Sequence, residues 1–147
     1  MEQTSIEIVN DSAYDLPSYK TSGSAGVDLR ANLSDEATLR PFERLLVPTG
    51  IFLALPEGIE AQIRARSGIS SKYGITLVNG VGTIDSDYRG EIKVALINLG
   101  QSDYTIQPGD RIAQMIFSRF VQGRFVEVET LDETARNSGG FGHTGTK

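Results

Sequence analysis

The chain has 147 residues, a formal net charge of -5, 39% hydrophobic and 22% charged residues, one histidine and no cysteine. That length suits one domain with a real core, and the composition excludes disulfides and thiolate metal sites and argues against a zinc centre. The acidic balance argues against a broad basic face for nucleic acid, and no apolar run reaches the length of a membrane span, but neither observation excludes a small anionic ligand or a magnesium ion held by one or two oxygens.

Taken in order, the elements show a period of two rather than 3.6. The opening "MEQTSIEIVN" lacks the basic-then-apolar layout of a signal peptide, so a cytoplasmic protein is the simplest expectation, and "TSIEIVN" reads as a strand. "DEATLR" reads as a short helix, and "RLLVPTGIFLALPEG" as two short strands around a turn at Pro48. In "GIEAQIRAR", Ile59, Ala61, Ile63 and Ala65 alternate with Glu60, Gln62, Arg64 and Arg66, which describes a strand with one buried face. "SGISSKYG" reads as the second short helix, while "EIKVALINL" and "GRFVEVETL" read as strands. Gly and Pro punctuate these runs at intervals of roughly ten residues, the spacing of an all-β sandwich or barrel. The expectation is an all-β domain over residues 1–135 and a flexible, glycine-rich arm over 136–147. Period and composition leave jelly roll, sandwich and barrel equally open.

Polar residues and glycines cluster where strands end. In "AGVDLRA" (25–31), Gly26 permits a turn and Asp28 sits at an otherwise apolar strand start, where it can also be a plain turn cap. In "ARSGISSKYG" (65–74), Arg66 and Ser67 stand at a helix start whose free N–H groups suit an anion; the plainer reading makes Ser67 an N-cap. The Gly-Lys-Ser/Thr ending of a Walker loop is missing. In "NGVGTIDSDYRGE" (79–91), Gly80 and Gly82 let the backbone approach a ligand, and Asp85 and Asp87 share a face if the strand continues. A solvated hairpin turn and a paired-carboxylate glycosidase are the other readings of that stretch. With 7% aromatics and no Trp to stack on sugars, the glycosidase ranks low. In "GDRIAQMIF" (109–117), Gln114 is the polar residue of a strand, facing either solvent or a pocket. The tail "RNSGGFGHTGTK" is glycine-rich enough to fray, yet carries Arg136 and Phe141.

In this order and spacing, these five stretches, from "AGVDLRA" to "RNSGGFGHTG", resemble the five motifs of the trimeric dUTPase family, the deoxyuridine triphosphate nucleotidohydrolases. The resemblance covers most of the chain. It implies a jelly-roll-like β fold, a homotrimer with shared active sites, and magnesium-dependent hydrolysis of dUTP to dUMP and pyrophosphate. Such an activity keeps uracil out of DNA and supplies dUMP for dTMP synthesis. By resemblance, Asp85 activates the attacking water and Tyr88 packs under the deoxyribose, refusing a 2′-hydroxyl. Asn79 and the backbone to Ile84, Gly82 included, read uracil. Arg66, Ser67, Gly68 and Gln114 bind the phosphates, and Asp28 is associated with Mg2+ through water. The tail is the mobile motif that closes over bound nucleotide: Phe141 on the base, Arg136 and Thr144 at the γ-phosphate, with Gly142 a further substrate-binding residue. His143 stands where the family more often has a small hydroxyl residue, and is a candidate substrate contact. Asn137 follows Arg136 where glycine is frequent. The alternatives are a dCTP deaminase-like enzyme on the same fold and a non-catalytic nucleotide-binding regulator. Neither nucleic acid nor a membrane is an expected partner.

Overall fold

Ten strands and one helix follow one another in a computed structural model that describes residues 3–140: β1 (Glu7–Asn10), β2 (Gly26–Arg30), β3 (Ala37–Leu39), β4 (Arg44–Ala54), β5 (Ile59–Arg64), α1 (Ser67–Tyr73), β6 (Ile75–Leu77), β7 (Val81–Ile84), β8 (Ile92–Asn98), β9 (Tyr104–Ile106) and β10 (Arg111–Arg119). They form two four-stranded sheets, in the orders β1-β4-β8-β6 and β2-β10-β5-β7, and a small β3-β9 pair. Every pairing is antiparallel, and the whole is a jelly-roll-like fold. Alternation decides which face is inside. Ile92, Val94 and Leu96 of β8 and Ala61 and Ile63 of β5 are buried in one core with Val27, Leu29 and Met115, while Lys93 and Arg64 point outward. Each fully buried Leu or Ile contributes about 1.5–3 kcal/mol, which is why the two inner faces stay together.

Three local readings are corrected. The stretch around Pro48 is not a turn between two strands but the interior of β4, whose register with β8 shifts between Pro48 and Ile51. Gly50 takes a positive φ of 68° there, so the turn residues build a bulge and not a reversal. "DEATLR" is not helical: Ala37–Leu39 pairs with Tyr104–Ile106, a partner far along the chain that no local pattern announces. "GRFVEVETL" forms no strand. Residues 120–140 carry none, and Phe125 is 99% exposed, because alternation without a neighbouring strand secures no ladder.

Helix α1 forms as the sequence indicates and stops at Gly74. The φ of 74° at Gly74 lets its N–H reach the carbonyls of Ile69 and Ser70, closing the C-terminal turn. The N-cap is Arg66 without a side-chain cap bond, so Ser67 is the first helical residue and not the cap. Buried Asn98 ties the small β3-β9 pair to the first sheet. Its amide donates to the carbonyls of Leu39 (2.9 Å) and Ser102 (2.8 Å), and its carbonyl accepts from Gly100 N–H (2.8 Å).

Before β4 the chain reverses through Arg40–Glu43, where Glu43 N–H donates to Arg40 C=O at 3.0 Å. Pro41 and Phe42 are the central residues, and Phe42 has φ of 66° with its ring 73% exposed. A turn of this kind favours glycine at that position, and holding a bulky residue there costs about 1–2 kcal/mol. Phe42→Gly therefore stabilises the protein by about 0.5–1 kcal/mol after glycine's own entropic cost, a rise of about 1–4 °C in thermal midpoint read by calorimetry.

Candidate functional site

Strand β10 lies between β2 and β5, and the face it turns away from the core carries polar side chains in rows. Gln114 stands opposite Asp28 of β2 on one side and Arg64 of β5 on the other. Asp28 thus belongs to a strand interior and is not a turn cap. The chain leaving β5 brings Arg66 over this face: its Nε donates to Asp28 Oδ1 at 2.9 Å and its Nη1 to the carbonyl of Arg111 at 3.0 Å. Arg111 Nη1 donates to Asp28 Oδ2 at 3.1 Å. One carboxylate therefore holds two guanidinium groups, and their summed charge leaves a net cation on the face. The Asp28 and Arg66 side chains are only 22% and 25% exposed, so their attraction is less screened than that of an open surface pair.

Gln114 faces this cluster, not open solvent. Its Nε2 donates to the Ala65 carbonyl at 2.9 Å, and a Cβ on Gly26 would come within 2.8 Å of its Oε1. Gly26 is thus the space in which the glutamine lies. Ser67 and Gly68 follow Arg66 and are exposed at the start of α1. Arg111 was not singled out by the sequence. Its only signal there is its place at the start of the strand that bears Gln114.

The second group of candidates surrounds the β7 hairpin. Gly80 takes φ of 72° in the turn before β7, and Gly82 lies so close to β5 that a Cβ would sit 3.2 Å from Ile63 Cβ. Strand β7 ends at Ile84, and Tyr88 N–H donates to Asp85 C=O at 3.2 Å, closing a turn over Asp85–Tyr88. Asp85 and Asp87 are therefore turn residues, and the shared strand face that a continued strand would give them does not exist. Asn79, Gly82, Asp85 and Tyr88 line one cavity of about 360 Å³ together with Glu91 and Lys93, two residues the sequence did not flag. Asp85 is exposed there, and no described cation pairs with it. None of Asp28, Arg66, Ser67 and Gln114 borders that cavity; Asp28 and Arg111 border another, of about 410 Å³, beneath the 12–20 loop.

Arg136 is exposed, with its Nε donating to Gly139 C=O at 2.8 Å. Asn137 has φ of 42° and bonds back to Thr134, so asparagine serves here at a left-handed position that glycine also fits. Phe141, Gly142, His143 and Thr144 lie outside the described residues. Among the described residues no three or more Asp, Glu or His side chains converge on a metal position. Both Asp28 oxygens accept from guanidinium groups, so this carboxylate is already charge-compensated and supplies no direct cage for a cation; at most it could accept from a water of a metal ion that arrives with an anionic ligand.

The dUTPase family model matches residues 12–145. The chain belongs to the dUTPase family. It is 59% identical over 140 residues to the deoxyuridine 5'-triphosphate nucleotidohydrolase of Finegoldia magna, covering 95% of this chain and 98% of that protein. It is 50% identical over 145 residues to the Fusobacterium nucleatum protein of the same name, covering 99% of each. Among solved structures, a Staphylococcus bacteriophage 80alpha dUTPase mutant with dUpNHpp superposes with a TM-score of 0.87 at 22% identity, covering 97% of this chain and 99% of that one. A mutant dUTPase from phage phi11 of S. aureus, whose structure concerns the coordination of a structural Mg(II) ion, superposes at 0.78 with 21% identity, covering 86% and 98%.

The contact between Gly26 and Gln114 in this dUTPase is open to a direct test. Gly26→Ala should cost about 1–3 kcal/mol by overpacking, and clearly less in a Gln114→Ala background. A double-mutant cycle by urea unfolding should give a coupling of at least about 0.5 kcal/mol.

Proposed function

We propose that the chain hydrolyses dUTP to dUMP and pyrophosphate, with the triphosphate on the Asp28–Arg66–Gln114 face and the deoxyuridine in the Asp85–Tyr88 cavity. The observation that carries this reading is the division of labour: a cationic face with ordered donors, and a separate cavity with an exposed, unpaired carboxylate. Asp85 orients a water and accepts its proton as the oxygen attacks the α-phosphorus; the bond from that phosphorus to the bridging oxygen breaks and pyrophosphate leaves. Arg66, with Ser67, Gly68 and Gln114, holds the phosphates as the new bond forms. Asn79 and the main chain through Gly82 to Ile84 recognise uracil, and the close packing of that hairpin on Ile63 of β5 supports a rigid edge suited to refusing a 5-methyl group. Tyr88 packs under the sugar.

A Mg2+ ion bound to the triphosphate would supply charge compensation, and Asp28 is the residue that would contact it, through water. The protein works as a homotrimer. The separation of the two groups within one chain supports sites assembled from neighbouring copies, and so do residues 121–140, which carry exposed Val121, Phe125 and Leu131 and form no strand with the described residues. Arg136 and the following residues form the arm that closes over a bound nucleotide, with Phe141 on the base, Arg136 and Thr144 at the γ-phosphate, and Gly142 and His143 as further substrate contacts. Closure waits for the triphosphate because ordering so many glycines is entropically expensive. We place the enzyme in the cytoplasm, where a chain without cysteine needs no oxidising environment.

The deciding experiment is pyrophosphate release from dUTP, dTTP, dCTP and UTP, with magnesium and then with chelator. Release confined to dUTP and abolished by chelator is the expected result; ammonia from dCTP, or no release from any nucleotide, refutes the reading. Asp85→Asn should lower kcat by about a hundredfold to ten-thousandfold, the range for loss of a general base, with little change in thermal midpoint. Parental turnover by that variant would remove Asp85 from the mechanism. Sedimentation equilibrium of the full chain should give three times the monomer mass of 15.9 kDa.

A further inference from the structure

Tyr88 is a turn residue with a half-exposed ring, at 44%, so something other than burial must hold that ring still. Two contacts do so. A Cβ on Gly90 would clash with the Tyr88 hydroxyl and the end of its ring, so the ring lies against a residue that has no side chain. The Tyr88 hydroxyl then donates to the main-chain carbonyl of Glu91 at 3.0 Å. The position of the ring is thus set by where Glu91 is.

Glu91 is in turn fixed from its side chain. Oε1 accepts the N–H of Gly50 at 2.9 Å, and Oε2 lies 3.6 Å from Lys93 Nζ. Gly50 is the buried residue of the β4 bulge, with positive φ, and a Cβ on it would come within 2.8 Å of the Ser12 N and 2.9 Å of the Asn32 Nδ2. Its carbonyl accepts from Asp11 N–H at 2.8 Å. Beside it, buried Thr49 donates from Oγ1 to the Ile92 carbonyl at 2.6 Å and accepts from Ile51 N–H at 3.2 Å. The bulge is therefore pinned on every side. It offers one N–H that the β4–β8 ladder leaves free, and the carboxylate of Glu91 takes it.

We infer that Glu91 is a positioning residue for sugar selection: it anchors the Asp85–Glu91 turn to the β4 bulge, and so holds the Tyr88 ring at the distance that excludes a 2′-hydroxyl. The inference rests on the proposed role of Tyr88 and extends it to a residue that itself need touch no substrate. A pinned ring discriminates because it cannot retreat from an extra oxygen; a ring on an unanchored turn yields by a few tenths of an ångström and admits ribose. The bulge in β4, which looks like a fault in a core strand, is then the fixed point of the selectivity.

The test compares kcat/KM for dUTP and UTP in the magnesium-loaded full chain carrying Glu91→Ala, Glu91→Gln, Tyr88→Phe or Tyr88→Ala, with thermal midpoints in parallel. Glu91→Ala should lower the dUTP-to-UTP ratio about tenfold, on the scale of one lost hydrogen bond, mainly through faster UTP turnover. Glu91→Gln keeps an oxygen for the Gly50 N–H and should retain most of the ratio. Tyr88→Phe breaks the next link of the chain, the hydroxyl bond to the Glu91 carbonyl, and should lower the ratio without disturbing the bulge, so an unchanged ratio there overturns the proposal even if Glu91→Ala does not fold. A lower midpoint with an unchanged ratio in Glu91→Ala and Tyr88→Phe, while Tyr88→Ala loses selectivity, overturns the positioning role and leaves the ring's role standing. An unchanged ratio in Tyr88→Ala overturns the role of the ring itself.

Discussion

The antiparallel pairing of β10 with β2 on one side and β5 on the other is the constraint from which the rest of the molecule follows. Ala113 and Met115 go into the core and Gln114 goes outward, opposite Asp28 and Arg64. A slip of one residue would put Gln114 among Val27, Leu29 and Ile63 and expose Met115, so the buried face enforces the register and the register assembles the polar face. The cationic cluster is thus a consequence of core packing: the same alternation that hides apolar side chains aligns Asp28 and Gln114 and brings Arg66 over them.

An acidic protein with net charge -5 can still attract an anion, because the field at a site depends on a few near charges and not on the total. Asp28 does two things at that site. It holds the guanidinium groups of Arg66 and Arg111 in fixed directions, and it lowers the cost of keeping two like charges together before any ligand arrives. Removing it would leave two arginines facing each other with only the Arg111 carbonyl and solvent to hold them, a loss of order as well as of charge.

The turn from Asp85 to Glu91 works in the opposite way. No core side chain fixes it; it is held by its own main-chain groups, by Arg89, whose Nη1 donates to the carbonyls of Ser86 and Tyr88, and by the bulge in the neighbouring strand β4. Gly82, Gly90 and Gly50 each stand where a Cβ would press on a neighbour, which lets the hairpin, the Tyr88 ring and the bulge pack without side chains between them. Rigidity without bulk is what a site needs if it is to reject a substrate for one extra atom.

Much of this was open to a reading of the chain alone. Alternation in "GIEAQIRAR" and "EIKVALINL" determined β5 and β8 and the burial of their inner faces, because a period of two is a property of neighbouring residues. "SGISSKYG" likewise marked helix α1, and the ordered polar stretches marked where chemistry resides. Other features depended on partners distant in sequence. Ala37–Leu39 is a strand only because β9 lies beside it, "GRFVEVETL" is none because nothing does, and Pro48 sits in a bulge because β8 continues past it. The pairing of Arg111 with Asp28, across 83 positions, and the bond from Glu91 to Gly50, across 41, are of the same kind. Local sequence determines what a residue can form, by its backbone freedom and its polarity; which bond it does form is decided when the sheets close and bring the partner within reach.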